Sequence, residues 1–292
     1  MEAAKKIDFL APGHRACPGC GAAVAVKMIG RALDSDTIVV SATGCLETFT
    51  ATYEQSAWQV PWMHSLFENS AAVASGVEAA LKHLGSKTRV VVISGDGGTF
   101  DIGLGALSGM FERGHDILYI CYDNEAYMNT GAQRSGATTL AAHTTTTPVG
   151  TLSTGKGERK KNMAAIALAH ELDYVATASI AYPKDLMNKV QKAITIPGPK
   201  YIQVHSPCCI GWGFEPSETI EVARLAVQTG LVPLYEIENG ECGQVVKLPK
   251  KRPVQDYLST QTRFKHLKSQ EMQQLVNELQ KYCDDNVAHF GL

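Results

Sequence analysis

The sequence lacks long apolar runs and a strong charge of either sign. Its 292 residues contain 27 Lys and Arg against 29 Asp and Glu, which gives a formal net charge of −2. This balance offers no electrostatic reason to expect a nucleic acid or a membrane surface as a partner. No apolar stretch approaches the length of a transmembrane helix, and residues 1–10 lack the apolar core of a signal peptide. We therefore expect a cytoplasmic protein that binds neither nucleic acid nor membrane.

Internal repeats and low-complexity tracts are also missing, apart from a row of threonines at 144–147. With 45% hydrophobic residues the chain can bury one large core, but no pattern of a second core is visible. Eight cysteines are present. Because thiols stay reduced in the cytoplasm, these cysteines indicate metal or redox chemistry rather than a disulfide framework.

Buried strands alternate with helices over most of the chain. Continuous β-branched and apolar runs predict strands at 37–42, 89–94, 117–122, 174–178 and 200–205. Helical spacing predicts helices at 22–33, 70–84, 101–113, 164–172, 183–194 and 216–229, then a hairpin at 234–249 and an amphipathic helix at 269–283. The alternation predicts an α/β fold with a doubly wound parallel sheet in residues 1–230. Residues 231–292 are expected to form an extension that packs on the body or on a partner subunit.

Polar and glycine residues follow two neighbouring strands at the points where these strands end. The first strand end is followed by Gly95, Asp96, Gly97 and Gly98, and the second by Asn124. Ligands of a doubly wound sheet bind beyond the carboxyl ends of its strands, so Asp96 and Asn124 can face one crevice. Their oxygens suit Mg²⁺ completed by a diphosphate, which the glycines and the next helix N-terminus can approach. The pattern predicts a magnesium–diphosphate site. The alternative is that Gly95-Asp96-Gly97 forms an ordinary turn and Asn124 only caps a backbone end, since these roles use the same residue types.

Five cysteines lie in stretches that the fold can bring together. Cys17 and Cys20 form a C-x-x-C before a helix, and the absence of a preceding strand disfavours a thioredoxin-like redox pair. Cys45 follows one predicted strand, and Cys208 and Cys209 follow another. This scattered spacing is poor for a compact zinc knuckle and acceptable for a buried iron–sulfur cluster, and on spacing alone zinc, a cluster and no metal remain open. The remaining three cysteines are assigned to the core or the tail: Cys121, Cys242 and Cys283.

Two motifs carry a resemblance to a known family. Gly95-Asp96-Gly97 followed by Asn124 has the spacing of the thiamine diphosphate (ThDP) motif, and residues 122–135, YDNEAYMNTGAQRS, closely resemble the beta subunit of the 2-oxoacid:ferredoxin oxidoreductases. The resemblance spans most of the chain and implies a ThDP-binding fold. It implies that Asp96, Asn124 and the backbone carbonyl of Ala126 bind Mg²⁺. It implies that Asn129 is catalytic and faces the substrate carbon. It also implies that further residues near these strand ends contact the cofactor: Gly95, Gly97, Gly98, Thr130 and the loop of His64.

The contexts CPGCG, ATGC and SPC resemble those that hold a [4Fe-4S] cluster in the same subunits. The resemblance implies that the four ligands are Cys17, Cys20, Cys45 and Cys208. Cys208 is preferred to Cys209 because of the match at Pro207, and because neighbouring side chains of an extended segment point to opposite sides.

The implied reaction is CoA-dependent oxidative decarboxylation of a 2-oxoacid, with electrons passing through the cluster to ferredoxin. Pyruvate, giving acetyl-CoA and CO₂, is the first choice of substrate, followed by 2-oxoglutarate, branched-chain or aromatic acids and oxalate. A non-redox ThDP decarboxylase or synthase half and a non-catalytic assembly subunit stay open as different functions. The family requires alpha, gamma and delta type subunits or fused equivalents, because the glutamate that activates ThDP comes from another subunit. Departures from the family pattern at 207–210 and at Ala132 leave the 2-oxoacid open.

Two further polar features have ordinary interpretations. His64 has no visible partner in the sequence, so a polar core residue is favoured slightly over a catalytic one. The loop 131–161 is long enough to be functional or disordered. Its basic end is interpreted as a solvated face in preference to a contact with CoA phosphates or a partner subunit: Lys156, Arg159, Lys160 and Lys161.

Overall fold

The structure, a computed structural model, describes residues 7–52, 55–248 and 250–292. In chain order its strands are β1 Thr37–Ala42, β2 Ala51–Thr52, β3 Gln55–Ser56, β4 Trp62–Ser65, β5 Arg89–Gly95, β6 Ile117–Asp123, β7 Val149–Gly150, β8 Ser153–Thr154, β9 Tyr174–Ser179, β10 Lys200–His205, β11 Tyr235–Glu238 and β12 Glu241–Val245. Eight of them form one sheet in the order β12-β11-β9-β10-β6-β5-β1-β4. Strands β4, β1, β5, β6, β10 and β9 run parallel, and the hairpin β11–β12 continues the sheet antiparallel to β9.

Helices cover both faces of this sheet. They are α1 Gly21–Ala32, α2 Cys45–Thr50, α3 Ser70–His83, α4 Leu104–Glu112, α5 Met163–Leu168, α6 Pro183–Ala193, α7 Cys209–Trp212, α8 Thr219–Gln228, α9 Val254–Leu258 and α10 Gln273–Phe290. A π-helical turn, Gly97–Ile102, precedes α4, and 3-10 turns lie at Pro216–Glu218, Thr262–Lys268 and Gln270–Met272. Among the described residues, none of the helices combines the length and the apolar character needed to span a bilayer.

The two faces of the sheet bury separate apolar clusters. In β6, Leu118 and Ile120 point to the cluster covered by α1 and α6, whereas Tyr119 and Cys121 point to the cluster under α3 and α4. This alternation follows from the two-residue period of a strand, and burial on both faces explains the continuous apolar runs. The predicted α/β fold with a mostly parallel sheet is confirmed, and Cys121 lies in the core as predicted.

The C-terminal part of the chain packs on the same body. Helices α8, α9 and α10 enclose a third apolar cluster around Trp212. On the predicted amphipathic helix, Val276 and Leu279 are buried and Leu275 packs against the same cluster. The division of the chain at residue 230 stays a prediction. The predicted end of the hairpin at residue 249, and residues 1–6 of the expected N-terminal segment, lie outside the described residues.

Several bounds differ from the predicted ones. The helix predicted at 101–113 is preceded by the π-helical turn and then runs as α4, and the last helix is Gln273–Phe290 instead of 269–283. Strand β4 and helix α2 are among the short elements that were not predicted. Strand β4 is an edge strand with two exposed residues out of four, so it lacks an apolar alternation, and the six-residue helix α2 is too short to display a helical period.

Candidate functional site

Asp96 lies at the carboxyl end of β5 and is buried. Its Oδ2 accepts a hydrogen bond of 2.5 Å from the Ser135 hydroxyl, and its Oδ1 accepts one of 3.3 Å from the backbone N–H of Asn124. Burial, and then the neighbouring charge of Asp123, raise the pKa of the Asp96 carboxyl well above its ordinary value. The side chain therefore occupies a position where its negative charge is costly unless a cation lies nearby.

The amide of Asn124 turns its oxygen toward two further oxygens. An amide nitrogen at that position would lie 2.9 Å from Asp96 Oδ1 and 2.9 Å from the carbonyl oxygen of Ala126. A turned amide would donate to both of these oxygens, whereas in the present orientation the amide oxygen lies beside a carboxylate oxygen and a carbonyl oxygen. A carboxylate, an amide oxygen and a carbonyl oxygen are the kind of ligands that Mg²⁺ takes. The structure thus brings together the three residues to which the family resemblance assigns the metal.

Glu125 shapes the turn between these oxygens. It is a buried non-glycine residue with φ of 64°, in the left-handed region that such residues seldom adopt. The indole N–H of Trp212 donates to the Asn124 carbonyl at 2.8 Å, and the Thr138 hydroxyl donates to the Glu125 carbonyl at 2.6 Å. The carbonyls of Asn124 and Glu125 are thus hydrogen-bonded to Trp212 and Thr138. The carbonyl of Ala126, the next residue, faces the Asn124 amide instead.

A network of charges with buried carboxylates surrounds the turn. Lys160 Nζ lies 2.5 Å from Asp123 Oδ2 and 3.3 Å from Glu125 Oε1, and Arg263 lies 2.8 Å from Glu125 Oε2. Burial raises the pKa of Asp123 in spite of Lys160. At Glu125 burial acts in the same direction, but Lys160 and then Arg263 outweigh it and hold the pKa below its ordinary range. Asp96, in contrast, forms no ion pair with any of the described residues, although it is buried.

The basic segment of the long loop contributes to this network, so its interpretation as a solvated face is wrong for two of the four residues. Lys156 is buried, and its Nζ donates to the Thr138 carbonyl at 2.6 Å. Burial lowers the pKa of Lys156 to about 8. Lys160 is half-buried and forms the ion pairs described above. Arg159 and Lys161 are exposed, as predicted.

The glycines after β5 are required by close packing. A Cβ at Gly97 would lie 2.6 Å from the Tyr127 ring, and one at Gly98 would lie 2.8 Å from Ser94 Oγ. Both glycines begin the π-helical turn, whose wider backbone is frequent at functional sites. A side chain at either position would displace the wall of the site, so the turn tolerates only glycine without rearrangement.

Three more residues that the family resemblance assigns to the site are exposed to solvent. Asn129 and Thr130 are exposed in the turn after Ala126, and the Thr130 hydroxyl donates to Gln133 Oε1 at 2.5 Å. His64 is exposed on β4, with Nε2 2.7 Å from Thr43 Oγ1. The interpretation of His64 as a polar core residue is wrong, because β4 is the edge strand of the sheet.

Five cysteines meet beside the oxygen site. Burial, and then the thiols of Cys208, Cys20 and Cys17, raise the pKa of Cys45 to about 12. The start of α1 is held against the Cys208 turn by a bond of 3.2 Å from the Gly21 N–H to the Pro207 carbonyl. In the described part of the chain, no group of three or more His, Cys, Asp or Glu side chains is arranged to hold a metal ion.

Cys208 and Cys209 differ in their surroundings. The Cys208 Sγ accepts a bond of 3.4 Å from the Gly211 N–H and is the thiol with the strongest influence on Cys45. The thiol of Cys209 is buried and donates to the Pro18 carbonyl at 3.2 Å. Cys17 is nevertheless a neighbour of Cys209 as well. The backbone contact of Cys209 favours Cys208 as the more available thiol.

Comparison with known proteins identifies the family. Residues 41–204 match the family model described as "Thiamine pyrophosphate enzyme, C-terminal TPP binding domain", thiamine pyrophosphate being another name for ThDP. The chain is 52% identical to the pyruvate synthase subunit PorB of Methanocaldococcus jannaschii, over 98% of this chain and 97% of that protein. The chain belongs to the PorB family of ThDP enzymes. The resemblance seen in the motifs, to beta subunits of 2-oxoacid:ferredoxin oxidoreductases, is confirmed.

Two further subunits and one solved structure are also similar to this chain. The PorB subunit of Methanosarcina barkeri is 54% identical over 97% of each chain, and the ketoisovalerate oxidoreductase subunit VorB of Pyrococcus abyssi is 46% identical over 90% of this chain and 87% of that one. A 2-oxoglutarate:ferredoxin oxidoreductase from Magnetococcus marinus, solved with 2-oxoglutarate, coenzyme A and succinyl-CoA bound, superposes with a TM-score of 0.62. That match has 28% identity and covers 71% of this chain and 69% of that one.

Most of the residues that hold the turn at 124–126 in place were not predicted from the sequence. Glu125 and Ser135 lie within residues 122–135, but their residue types do not reveal the left-handed backbone of Glu125 or the hydrogen bond from Ser135 to Asp96. Arg263 belongs to a tail without a motif, so only the folded chain reveals its contact with Glu125. A lysine paired with buried carboxylates, such as Lys160, could not be distinguished from a surface lysine in a run of charges.

Lys160→Met should lower the free energy of unfolding by about 3–5 kcal/mol, because it leaves the buried Asp123 carboxylate without a cation. Lys161→Met is the matched control. It removes an ammonium that is 41% exposed and paired with Asp101, and it should cost less than about 1 kcal/mol. Urea unfolding followed by far-UV circular dichroism measures both values. Equal losses for the two variants would contradict the buried network.

Proposed function

We propose that this PorB-family chain binds ThDP through Mg²⁺ held by the Asp96 carboxylate, the Asn124 amide oxygen and the Ala126 carbonyl. The observation that carries the proposal is the position of the Asn124 amide oxygen, 2.9 Å from Asp96 Oδ1 and 2.9 Å from the Ala126 carbonyl oxygen, beside the buried Asp96 carboxyl. A divalent cation would supply the positive charge that Asp96 lacks, and phosphate oxygens would complete its coordination. When bound, ThDP supplies the carbanion chemistry of decarboxylation.

The chain's own residues anchor and orient this cofactor. The tightly packed glycines Gly97 and Gly98 let the backbone approach the diphosphate, and Gly95 precedes them at the strand end. Asn129, Thr130 and His64 lie on the exposed side of the edge, where they can reach the reacting part of the cofactor or the substrate. Asn129 is assigned to the substrate carbon.

A [4Fe-4S] cluster bound by Cys17, Cys20, Cys45 and Cys208 is proposed as the first electron acceptor. Sheet order supports its location, because neighbouring strands β10, β6, β5 and β1 are followed by Cys208, Asn124, Asp96 and Cys45 in turn. A closed zinc site would need four thiolates about 2.3 Å from one ion, whereas a four-iron cluster takes one thiolate on each iron, which suits cysteines that come from three separate stretches of the fold.

The proposed reaction is the oxidative decarboxylation of pyruvate with CoA to acetyl-CoA and CO₂, with electrons passed to ferredoxin. Relatives named pyruvate synthase are 52% and 54% identical to this chain, and they support pyruvate as substrate. The VorB relative at 46% identity supports a branched-chain 2-oxoacid as the second candidate. Steady-state assay of the assembled complex against both acids separates the two, because the true substrate should have the higher kcat/KM.

Partner subunits of the alpha, gamma and delta type, or fused equivalents, are proposed to complete the site. Apolar side chains stand exposed around its edge: Met63, Leu66 and Ile102, at 43%, 65% and 49% exposure. Exposed apolar side chains close together are typical of an interaction surface. A partner that covers this edge would exclude water from the cofactor, and we expect assembly in the cytoplasm.

Asp96→Ala should weaken Mg²⁺-dependent ThDP binding by more than about 100-fold, above the loss typical of an outer-shell partner, while the iron content stays unchanged. Asn129→Ala is the contrasting variant, because it should retain ThDP and lose turnover. ThDP titration calorimetry, iron analysis and steady-state turnover of the assembled complex measure these effects. Equal ThDP affinity in the Asp96 variant and the parent would contradict the metal assignment, and ThDP loss in the Asn129 variant would contradict its substrate role.

Cys208→Ser should bleach the broad visible absorption of the anaerobically purified protein and reduce its iron content, because it removes a proposed ligand. Cys209→Ser should leave both close to the parent's values, since that thiol is bonded to a backbone carbonyl. The reverse result would move the ligand to Cys209. No visible band in the parent would support a non-redox ThDP enzyme instead.

Leu66→Glu should weaken association with the partner subunits by at least about tenfold, since a buried interface charge costs more than about 1.4 kcal/mol. Leu84→Glu is the control. Leu84 is 77% exposed just after α3, at the opposite edge of the sheet, so its substitution should leave assembly unchanged. Co-purification and sedimentation velocity measure the effect, and equal behaviour of both variants would place the interface elsewhere.

A further inference from the structure

We infer that Arg263, in the C-terminal part of the chain, is a positioning residue for the turn that presents the Asn124 and Ala126 oxygens. The inference rests on the proposed function, because it assigns those oxygens to the metal. It adds a distant residue that the motifs do not contain and that touches neither the cofactor nor the substrate. The need for such a residue arises from the conformation of Glu125.

Glu125 cannot hold its own conformation. Its φ of 64° lies in the left-handed region, which is unfavourable for a residue with a side chain, and the residue is 1% exposed. Such a backbone persists only when the surroundings over-determine it. If Glu125 relaxed, the carbonyl of Ala126 would rotate away from the Asn124 amide. The Thr138 hydroxyl holds the backbone carbonyl of Glu125, and the Thr139 hydroxyl and two cations hold its carboxylate.

Arg263 makes the shorter of the two ion pairs with that carboxylate. Its Nη1 lies 2.8 Å from Glu125 Oε2, and its side chain is 4% exposed. The same guanidinium donates to Gln261 Oε1 at 2.8 Å and to the Tyr257 hydroxyl at 3.0 Å. Its carbon lies 3.7 Å from the centroid of the Trp212 ring. The hydrogen bonds and the ion pair therefore hold the guanidinium in its plane, and the Trp212 ring packs against its face.

Trp212 connects Arg263 to the other side of the turn. The indole N–H donates to the Asn124 carbonyl at 2.8 Å, while the ring stacks under the guanidinium. Arg263 thus acts on the turn twice, directly through the Glu125 carboxylate and indirectly through the backbone of Asn124. The two proposed oxygen ligands of the turn, from Asn124 and Ala126, flank the residue that it holds.

Lys160 cannot replace Arg263 in this role. Its ammonium lies closer to Asp123, at 2.5 Å, than to Glu125, at 3.3 Å. Without Arg263, two buried carboxylates would share one ammonium, which lies nearer Asp123, and the Glu125 carboxylate would lose its closer ion pair. A lysine at position 263 would restore charge but would lack the planar fork and the stacking on Trp212. The role therefore depends on both the charge and the shape of arginine.

The test measures metal-dependent ThDP binding in the assembled complex. Arg263→Met should raise the apparent Kd for ThDP at fixed Mg²⁺ at least tenfold, and Arg263→Lys should recover part of this loss. In Arg263→Lys, with Mn²⁺ in place of Mg²⁺, the electron paramagnetic resonance spectrum of the bound metal should differ from that of the parent. Arg252→Met is the matched control, because Arg252 pairs with Asp256 in the same tail and is 42% exposed. It should change the Kd by less than twofold.

Further variants keep the test decisive if Arg263→Met fails to assemble. Glu125→Gln should also weaken ThDP binding, and the double variant Arg263→Met/Glu125→Gln should be no worse than Arg263→Met alone, because the two residues act as a pair. Parental Kd and Mn²⁺ spectrum in Arg263→Lys and Glu125→Gln would overturn the inference, and so would a weaker Kd with an unchanged spectrum. Asp96→Ala separates a failure of the inference about Arg263 from a failure of the proposed function, because parental ThDP binding in the Asp96 variant would overturn the proposed function itself.

Discussion

Asp123 and Glu125 are buried and paired with cations, whereas the buried Asp96 between the same strand ends forms no ion pair with the described residues, and the arrangement of the site depends on that difference. Lys160 and Arg263 neutralise Asp123 and Glu125, whereas burial and the Asp123 charge raise the pKa of Asp96. Burial of an unpaired carboxylate is costly, so a fold that retains one at its edge favours a cation there. The same fixed charges hold the strained Glu125 turn and direct the Ala126 carbonyl to the same point.

The order of the sheet places the two proposed cofactors side by side. Strands β6 and β5 in the middle end at Asn124 and Asp96, and the flanking strands β10 and β1 lead to Cys208 and Cys45. Parallel strands bring all four ends to one edge without any long loop. An electron acceptor bound by the cysteines would therefore lie beside the diphosphate site.

Features that depend on local pattern were predictable from the sequence, and features that depend on distant pairing were not. The strand ends at Asp96 and Asn124 follow from continuous apolar runs that stop at polar residues. The ion pairs of Lys160 were not predictable, because a basic run has the same letters on a surface and in an ion network. The contact of Arg263 with Glu125 joins residues 138 positions apart in the chain. No periodic pattern records such a pair, and a left-handed glutamate has no sequence signature.

Asp96, Asn124 and the Ala126 carbonyl are proposed to hold the metal that anchors ThDP, and the roles proposed for the ThDP-binding residues and for Arg263 depend on that metal. Crystals of the assembled complex grown with ThDP and Mn²⁺ test it most directly, since anomalous scattering locates Mn²⁺ independently of the rest of the map. We expect one anomalous peak within about 2.0–2.3 Å of an oxygen of each of these three residues and of diphosphate oxygens. A well-ordered ThDP whose diphosphate is bound without metal at these oxygens, or a Mn²⁺ peak at different residues, would contradict it.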